Sequence, residues 1–143
     1  NLNPMLNEGD FVFCVFDTIP GIPPENILCL FKEKEGITLI VDKSTADKWK
    51  IKYNTVFSWL TLNVHSSLES VGLTAVISRV LARNQISCNV VAAYHHDHLF
   101  VEKKHSNKAL RLLNDLMLNS FYYRSGRNRI GNFTRGSANP GEV

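Results

Sequence analysis

The 143-residue chain is 44% hydrophobic and 20% charged, the balance of an ordinary globular protein of one compact domain or two very small ones. Its net charge of +3 comes from one end: Arg124, Arg127, Arg129 and Arg135 against Glu142 supply all of it. The body as far as Asn119 is neutral, which removes the electrostatic hold that a nucleic-acid backbone needs. No apolar run approaches the roughly 20 residues that span a bilayer, and no secretory signal pattern is visible.

Cys14, Cys29 and Cys88 all sit in apolar, strand-like runs. An odd number without CxxC spacing argues against a disulfide framework or a zinc site. Three thiols kept reduced point to the cytoplasm.

In chain order, Asp10–Phe16 (DFVFCVF) follows the turn signal Asn7-Glu8-Gly9 and reads as a strand. Asp17–Glu25 holds three prolines and a glycine, which forbids a regular helix of any length. Ile27–Lys32 and Ile37–Val41 read as two strands of a hairpin turning at Glu33-Lys34-Glu35-Gly36. Ser44–Lys50 is a short helix with a Ser or Thr cap.

Trp59–Val64 alternates, with Leu60, Leu62 and Val64 on one face and Trp59, Thr61 and Asn63 on the other. Leu73, Val76, Ile77, Val80 and Leu81 then mark one stripe of a helix. Its start is either a capping box at Ser66-Ser67-Leu68-Glu69 or a cap at Ser70. Ile86–Tyr94 and His98–Glu102 form a second hairpin. A last helix carries Ala109, Leu112, Leu113, Leu116 and Met117 on one stripe. Beyond Asn119 the chain turns polar and rich in Gly, Arg and Asn, the composition of a disordered tail.

At an offset of sixty residues the chain repeats itself: Leu39-Ile40-Val41-Asp42-Lys43 aligns with Leu99-Phe100-Val101-Glu102-Lys103. Each copy is strand, hairpin, strand, helix, preceded by a further strand. Copy two has a full helix where copy one has the proline-rich loop. The expectation is a duplicated β-α-β-β-α unit whose first copy has lost most of its first helix. Two such units side by side, with helices on one face, cover a sheet that neither covers alone.

The segment from Leu60 to Val101 resembles the ACT domain, and in particular small bacterial proteins built of two ACT-like units. Ser70-Val71-Gly72-Leu73-Thr74 stands where the family has a Pro-Gly-leucine turn opening its first helix. Ala82-Arg83-Asn84-Gln85-Ile86-Ser87-Cys88-Asn89-Val90 looks like the family's helix end and entry into the next strand, with Gln85 where a turn glycine is usual. The resemblance reaches back to Glu8 and forward to about Leu118. It implies an α+β fold of tandem ferredoxin-like βαββαβ units: antiparallel sheets, helices on one face and a reduced first helix in unit one. The units would be residues 1–57 and 58–119, with 120–143 as a basic tail. It also implies a regulatory, non-catalytic role in binding a small molecule, usually an amino acid, and a homodimer formed by sheet or helix pairing. No cofactor, nucleic acid or membrane partner is expected.

The implied ligand site is the loop between first strand and first helix of the intact copy. It comprises His65, Ser66, Ser67, Ser70, Val71, Gly72, Leu73 and Thr74, facing Asn89, Val90 and Val91 of another unit or chain. The chemistry fits: a helix N-terminus offers unpaired N–H groups to a carboxylate, serines add hydroxyls, and glycine admits close approach. These residues would serve equally as helix caps. An interaction module without ligand is one alternative. A metal site is another, since Tyr94-His95-His96-Asp97-His98 carries zinc-like ligand types, although no fourth ligand stands at diagnostic spacing. Cys88 with His65 or His95 resembles a thiol–imidazole pair, but Cys88 shares a strand face with Ile86 and Val90, so no catalytic residue is assigned.

Overall fold

The computed structural model describes residues 3–63 and 72–127, with side chains as far as 116. A two-residue strand, β1 (Met5–Leu6), precedes β2 (Phe11–Phe16). The prolines that follow permit one 3-10 turn, Pro24–Asn26, before the hairpin β3 (Ile27–Lys32) and β4 (Ile37–Asp42) and the short helix α1 (Lys43–Lys48). The second unit runs β5 (Phe57–Leu62), α2 (Leu73–Arg83), β6 (Cys88–Ala92), β7 (Asp97–Glu102) and α3 (Ser106–Arg127). The loss of the first helix from copy one is therefore real. No element of the repeat is out of order. Helix α3 runs past Asn119 as far as Arg127.

The duplication is written into the hydrogen bonds. Strands β2 and β4 pair Val12 with Val41 and Cys14 with Leu39, as β5 and β7 pair Ser58 with Val101 and Leu60 with Leu99. The hairpin Glu33 N–H to Gly36 carbonyl bond (2.9 Å) recurs as Ala93 to His96 (3.0 Å). At the end of each hairpin the next N–H reaches back to the residue before the unit's first strand: Lys43 to Asp10 and Lys103 to Val56. Agreement of this kind between distant backbone groups does not follow from chance similarity of five side chains.

Both units contribute to one antiparallel sheet of order β3-β4-β2-β5-β7-β6. They join where Phe11 of β2 meets Phe57 of β5. The N-terminal strand β1 pairs with β5 further along, Met5 opposite Thr61, and so completes the second unit. The sequence reading did not include it, because two residues carry no periodicity.

All three helices lie on one face. There Leu60, Leu62, Leu99 and Val101 pack with Ile77 and Leu81 of α2 and Ala109 and Leu113 of α3. Val12, Cys14, Leu39 and Val41 pack with Ala46 of α1. The opposite face carries a third cluster with no helical residue in it: Phe11, Ile40 and Phe100 are buried among Phe13, Cys29, Phe57, Trp59 and Val91. They are shielded because the sheet curls, bringing its two edge strands β3 and β6 to the same hollow. This concave face is the aromatic interior of a half-closed sheet.

The ends of α1 and α2 depart from the expected capping. Asp42 stands before α1 and makes no side-chain cap, so the Ser/Thr cap expected there is not formed, and Gly72, which has no side chain, stands before α2. The expected capping box at Ser66-Ser67-Leu68-Glu69 and the alternative cap at Ser70 lie outside the described residues. The C-termini are the better-built ends. Ile86 N–H bonds Leu81 O (2.9 Å) and Gln85 N–H bonds Ala82 O (3.0 Å); Ile51 to Ala46 and Lys50 to Asp47 repeat the pattern. These are Schellman turns, with Gln85 (φ +59°) and Lys50 (φ +55°) in the left-handed position that glycine usually fills.

Candidate ligand sites

Of the residues assigned to the loop site, His65, Ser66, Ser67, Ser70 and Val71 lie outside the described residues. Gly72 adopts φ +81°, a conformation that favours glycine, and among the described residues nothing stands within 4 Å of where a Cβ would be. Its carbonyl accepts the Val76 N–H (3.0 Å) to begin the helix. The first turn of α2 contains no acidic side chain. Among the described residues nothing covers the start of the helix, and its positive dipole end has no carboxylate in the first turn to answer it.

The other members divide. Leu73 and Val90 both pack into the helix-side core, so their side chains are structural. Thr74 is exposed at the helix surface. Asn89 and Val91 stand on the concave face, because alternate residues of a strand point to opposite sides. Val90 thus does not share a face with its two neighbours.

That concave face holds a polar assembly absent from the sequence reading. Trp59 Nε1 donates to His98 Nδ1 at 2.9 Å, and Thr61 Oγ1 lies 3.1 Å from the same nitrogen. Asn7 Nδ2 donates to Thr61 Oγ1 at 2.8 Å and also reaches the Trp59 carbonyl at 3.2 Å. Residues from β5, β7 and the turn after β1 are thereby joined. Strand pairing places Thr61 directly opposite His98 and Trp59 opposite Phe100. The equivalent positions in the first unit are Val15 opposite Thr38 and Phe13 opposite Ile40, so the assembly belongs to the second unit alone. Alternation had placed Trp59 and Thr61 on one face; only the cross-strand register reveals that His98 lies between them.

Burial lowers the His98 pKa, the nearby His96 lowers it further, and Asp97 works weakly against them. His95 turns to Tyr94 and His96 to His98, with ring centroids 4.9 and 6.2 Å apart. Among the described residues no three His, Cys, Asp or Glu side chains converge as a metal would require. Burial pushes the Cys88 thiol up to about 11, away from the thiolate that nucleophilic chemistry uses. No helix among the described residues is long and apolar enough to cross a membrane.

Two ferredoxin-like units sharing one sheet define a tandem module of the α+β class. Sequence comparison assigns the family: residues 1–58 match one ACT domain family and residues 55–115 match another. The chain belongs to the ACT domain family, whose members are regulatory, non-catalytic modules. A search of curated protein sequences finds no significant match.

Among solved structures, a Vibrio cholerae protein described as of unknown function and a possible transport protein is 37% identical. The match has a TM-score of 0.73 and covers 80% of this chain and 88% of that one. An Agrobacterium tumefaciens protein superposes with a TM-score of 0.66 at 14% identity, over 78% of this chain and 86% of the other. The ligand-free regulatory subunit of aspartate kinase from Thermus thermophilus has a TM-score of 0.57 at 9% identity, covering 80% and 96%. The last two share the fold.

Proposed function

We propose that this chain is a sensor module that binds a small molecule, an amino acid in the first place, at the start of α2. The loop residues His65, Ser66, Ser67, Ser70 and Val71 would meet the ligand together with Gly72 and Thr74. Asn89 and Val91 would approach from another unit or chain. The observation that carries this reading is Gly72: a left-handed glycine at the helix N-terminus, with no described residue within 4 Å of where a Cβ would stand and no side chain of its own to cap the helix. A carboxylate placed there would meet the free N–H groups of the first turn and the positive end of the helix. Family membership makes amino acids the first ligands to try.

Thermal denaturation against the twenty amino acids tests it. A ligand at about 100 times its dissociation constant adds about 2.7 kcal/mol to stability. Flat melting curves for all twenty would reject the reading. Gly72→Asn tolerates the left-handed backbone better than other side chains yet covers the helix start. It is expected to abolish the ligand-dependent shift with little change in the unliganded Tm.

Self-association is a second reading, favoured by one observation. Phe31 and Val15 flank Thr38 on the concave face and are 65% and 69% exposed, large apolar groups side by side at one end of the sheet. Light scattering with and without amino acids separates a ligand-driven dimer from a constitutive one, and a monomer mass throughout would dismiss both.

A further inference from the structure

The concave face holds a hollow that lies apart from the start of α2. Leu28 and Cys29 enter it from β3 and the strand's start, Val91 and Ala93 from β6 and its turn, with Trp59 and Phe100 between. The edge strands that meet here stand at opposite ends of the sheet order. The hollow is half open to solvent and has a volume of about 180 Å³, against about 150 Å³ for an enclosed apolar cavity that holds benzene. Among the described residues that line it, His98 is the one imidazole in a wall whose other side chains are built of carbon, sulfur and the indole ring.

The network behind His98 decides what that imidazole offers. An indole N–H only donates, so the bond from Trp59 requires Nδ1 to present its lone pair. With Nδ1 unprotonated, the Thr61 hydroxyl, which accepts from Asn7, can meet the same nitrogen only as a donor. The neutral ring must then carry its proton on Nε2, and the described residues supply Nε2 with no hydrogen-bond partner. Protonating Nδ1 would set an N–H against the Trp59 N–H. Among the described lining residues, the one side-chain nitrogen donor left for a ligand is the uncharged Nε2–H of His98. Among the described residues the hollow has nothing to neutralise a carboxylate or an ammonium group, whose burial without a partner is costly.

We infer that the cavity roofed by β3 and β6 binds a small uncharged molecule. That molecule has an apolar body about the size of benzene and a single carbonyl-type acceptor for the Nε2–H of His98. Zwitterionic amino acids do not meet this description, which separates the site from the start of α2.

The test uses the full chain with Trp49→Phe, so that Trp59 is the only indole emitter. Benzamide is the probe, with benzoate as its charged counterpart. Benzamide should change Trp59 emission saturably below about 10 mM, the range that ligand efficiency allows a fragment of this size. Benzoate should bind about tenfold more weakly, or not at all. Ala93→Leu fills the cavity from an exposed position and should weaken benzamide about tenfold with Tm retained. His98→Phe keeps a ring, removes the donor, and should weaken benzamide several-fold. Nitrogen-15 spectra of the histidine rings should show His98 protonated on Nε2. Absence of saturation, benzoate binding as well as benzamide, indifference to both variants, or a proton on Nδ1 would each overturn the inference. Gly72→Asn should leave benzamide binding intact, so failure here and failure of the amino-acid reading are told apart.

Discussion

Gln85 and Lys50 show how a residue can be wrong for its backbone and still be held there. Each sits in a left-handed conformation that costs a side chain about 1–2 kcal/mol, and each is exposed, so no packing repays the strain directly. The turn is held by its neighbours: Ile86 packs with Leu81 in one core, and Ile51 with Ala46 in the other. Gln85→Gly and Lys50→Gly should therefore stabilise the protein, by about 0.5 kcal/mol each once glycine's greater unfolded-state entropy is subtracted. Urea denaturation measures it, and a loss of stability would show that these side chains make a contribution beyond the turn.

His98 makes a second prediction at this scale. Its folded pKa is depressed below the unfolded value, which is about 6.5. The unfolded chain therefore binds the proton more readily, and stability rises with pH across the window between the two values. The contribution is complete above about pH 6.5 and is lost as the pH falls through the folded pKa. Tm measured from pH 7.5 down to pH 5 should fall, and His98→Gln should flatten that part of the curve. An unchanged slope in the variant would assign it to other groups.

At the scale of the element, α2 shows how much of a helix is legible. The stripe Leu73, Val76, Ile77, Val80 and Leu81 located it, and Ile77 and Leu81 are indeed buried. Val76 however is 42% exposed, because periodicity defines a stripe but not how wide a strip the sheet covers. Leu81 is also the residue on which the C-terminal turn closes. Leu81→Ala should cost about 2–5 kcal/mol by leaving a cavity among Leu60, Leu99 and Leu113. A loss under about 1 kcal/mol in chemical denaturation would mean that the helix collapses onto the sheet to fill the space.

For the molecule as a whole, the question is whether two units make one folding body. The concave cluster mixes Phe11, Phe13 and Ile40 of the first unit with Phe57, Trp59 and Phe100 of the second. Phe11 packs edge-on to Trp59 at 5.4 Å, and Phe13 to Phe100 at 5.5 Å. Lys103 also reaches Asp10 at 2.9 Å, though an exposed pair of this kind adds little. Cutting between the units would expose this aromatic interior and leave the strand β1 without its partner. The two tryptophans test this, since Trp49 belongs to the first unit and Trp59 to the second. Trp49→Phe and Trp59→Phe variants should each unfold in a single transition, with the same slope on denaturant as far-UV circular dichroism. Transitions separated between the two fluorescence probes would show units that unfold independently.

What the sequence by itself determined was local and periodic. Alternation, the helical stripe and the proline-rich loop are each set by neighbours a few residues away, and the repeat at sixty residues multiplied them into a fold. The α2 start was found in the same way, from a glycine in a serine-rich turn. The tertiary structure alone decided what depends on register between distant strands. It paired β1 with β5, curled the sheet so that β3 approaches β6, and set Trp59, Thr61 and Asn7 around one nitrogen of His98. Cross-strand partners are fixed by which faces bury together and by the twist of the whole sheet, and neither quantity is carried by any short stretch of chain.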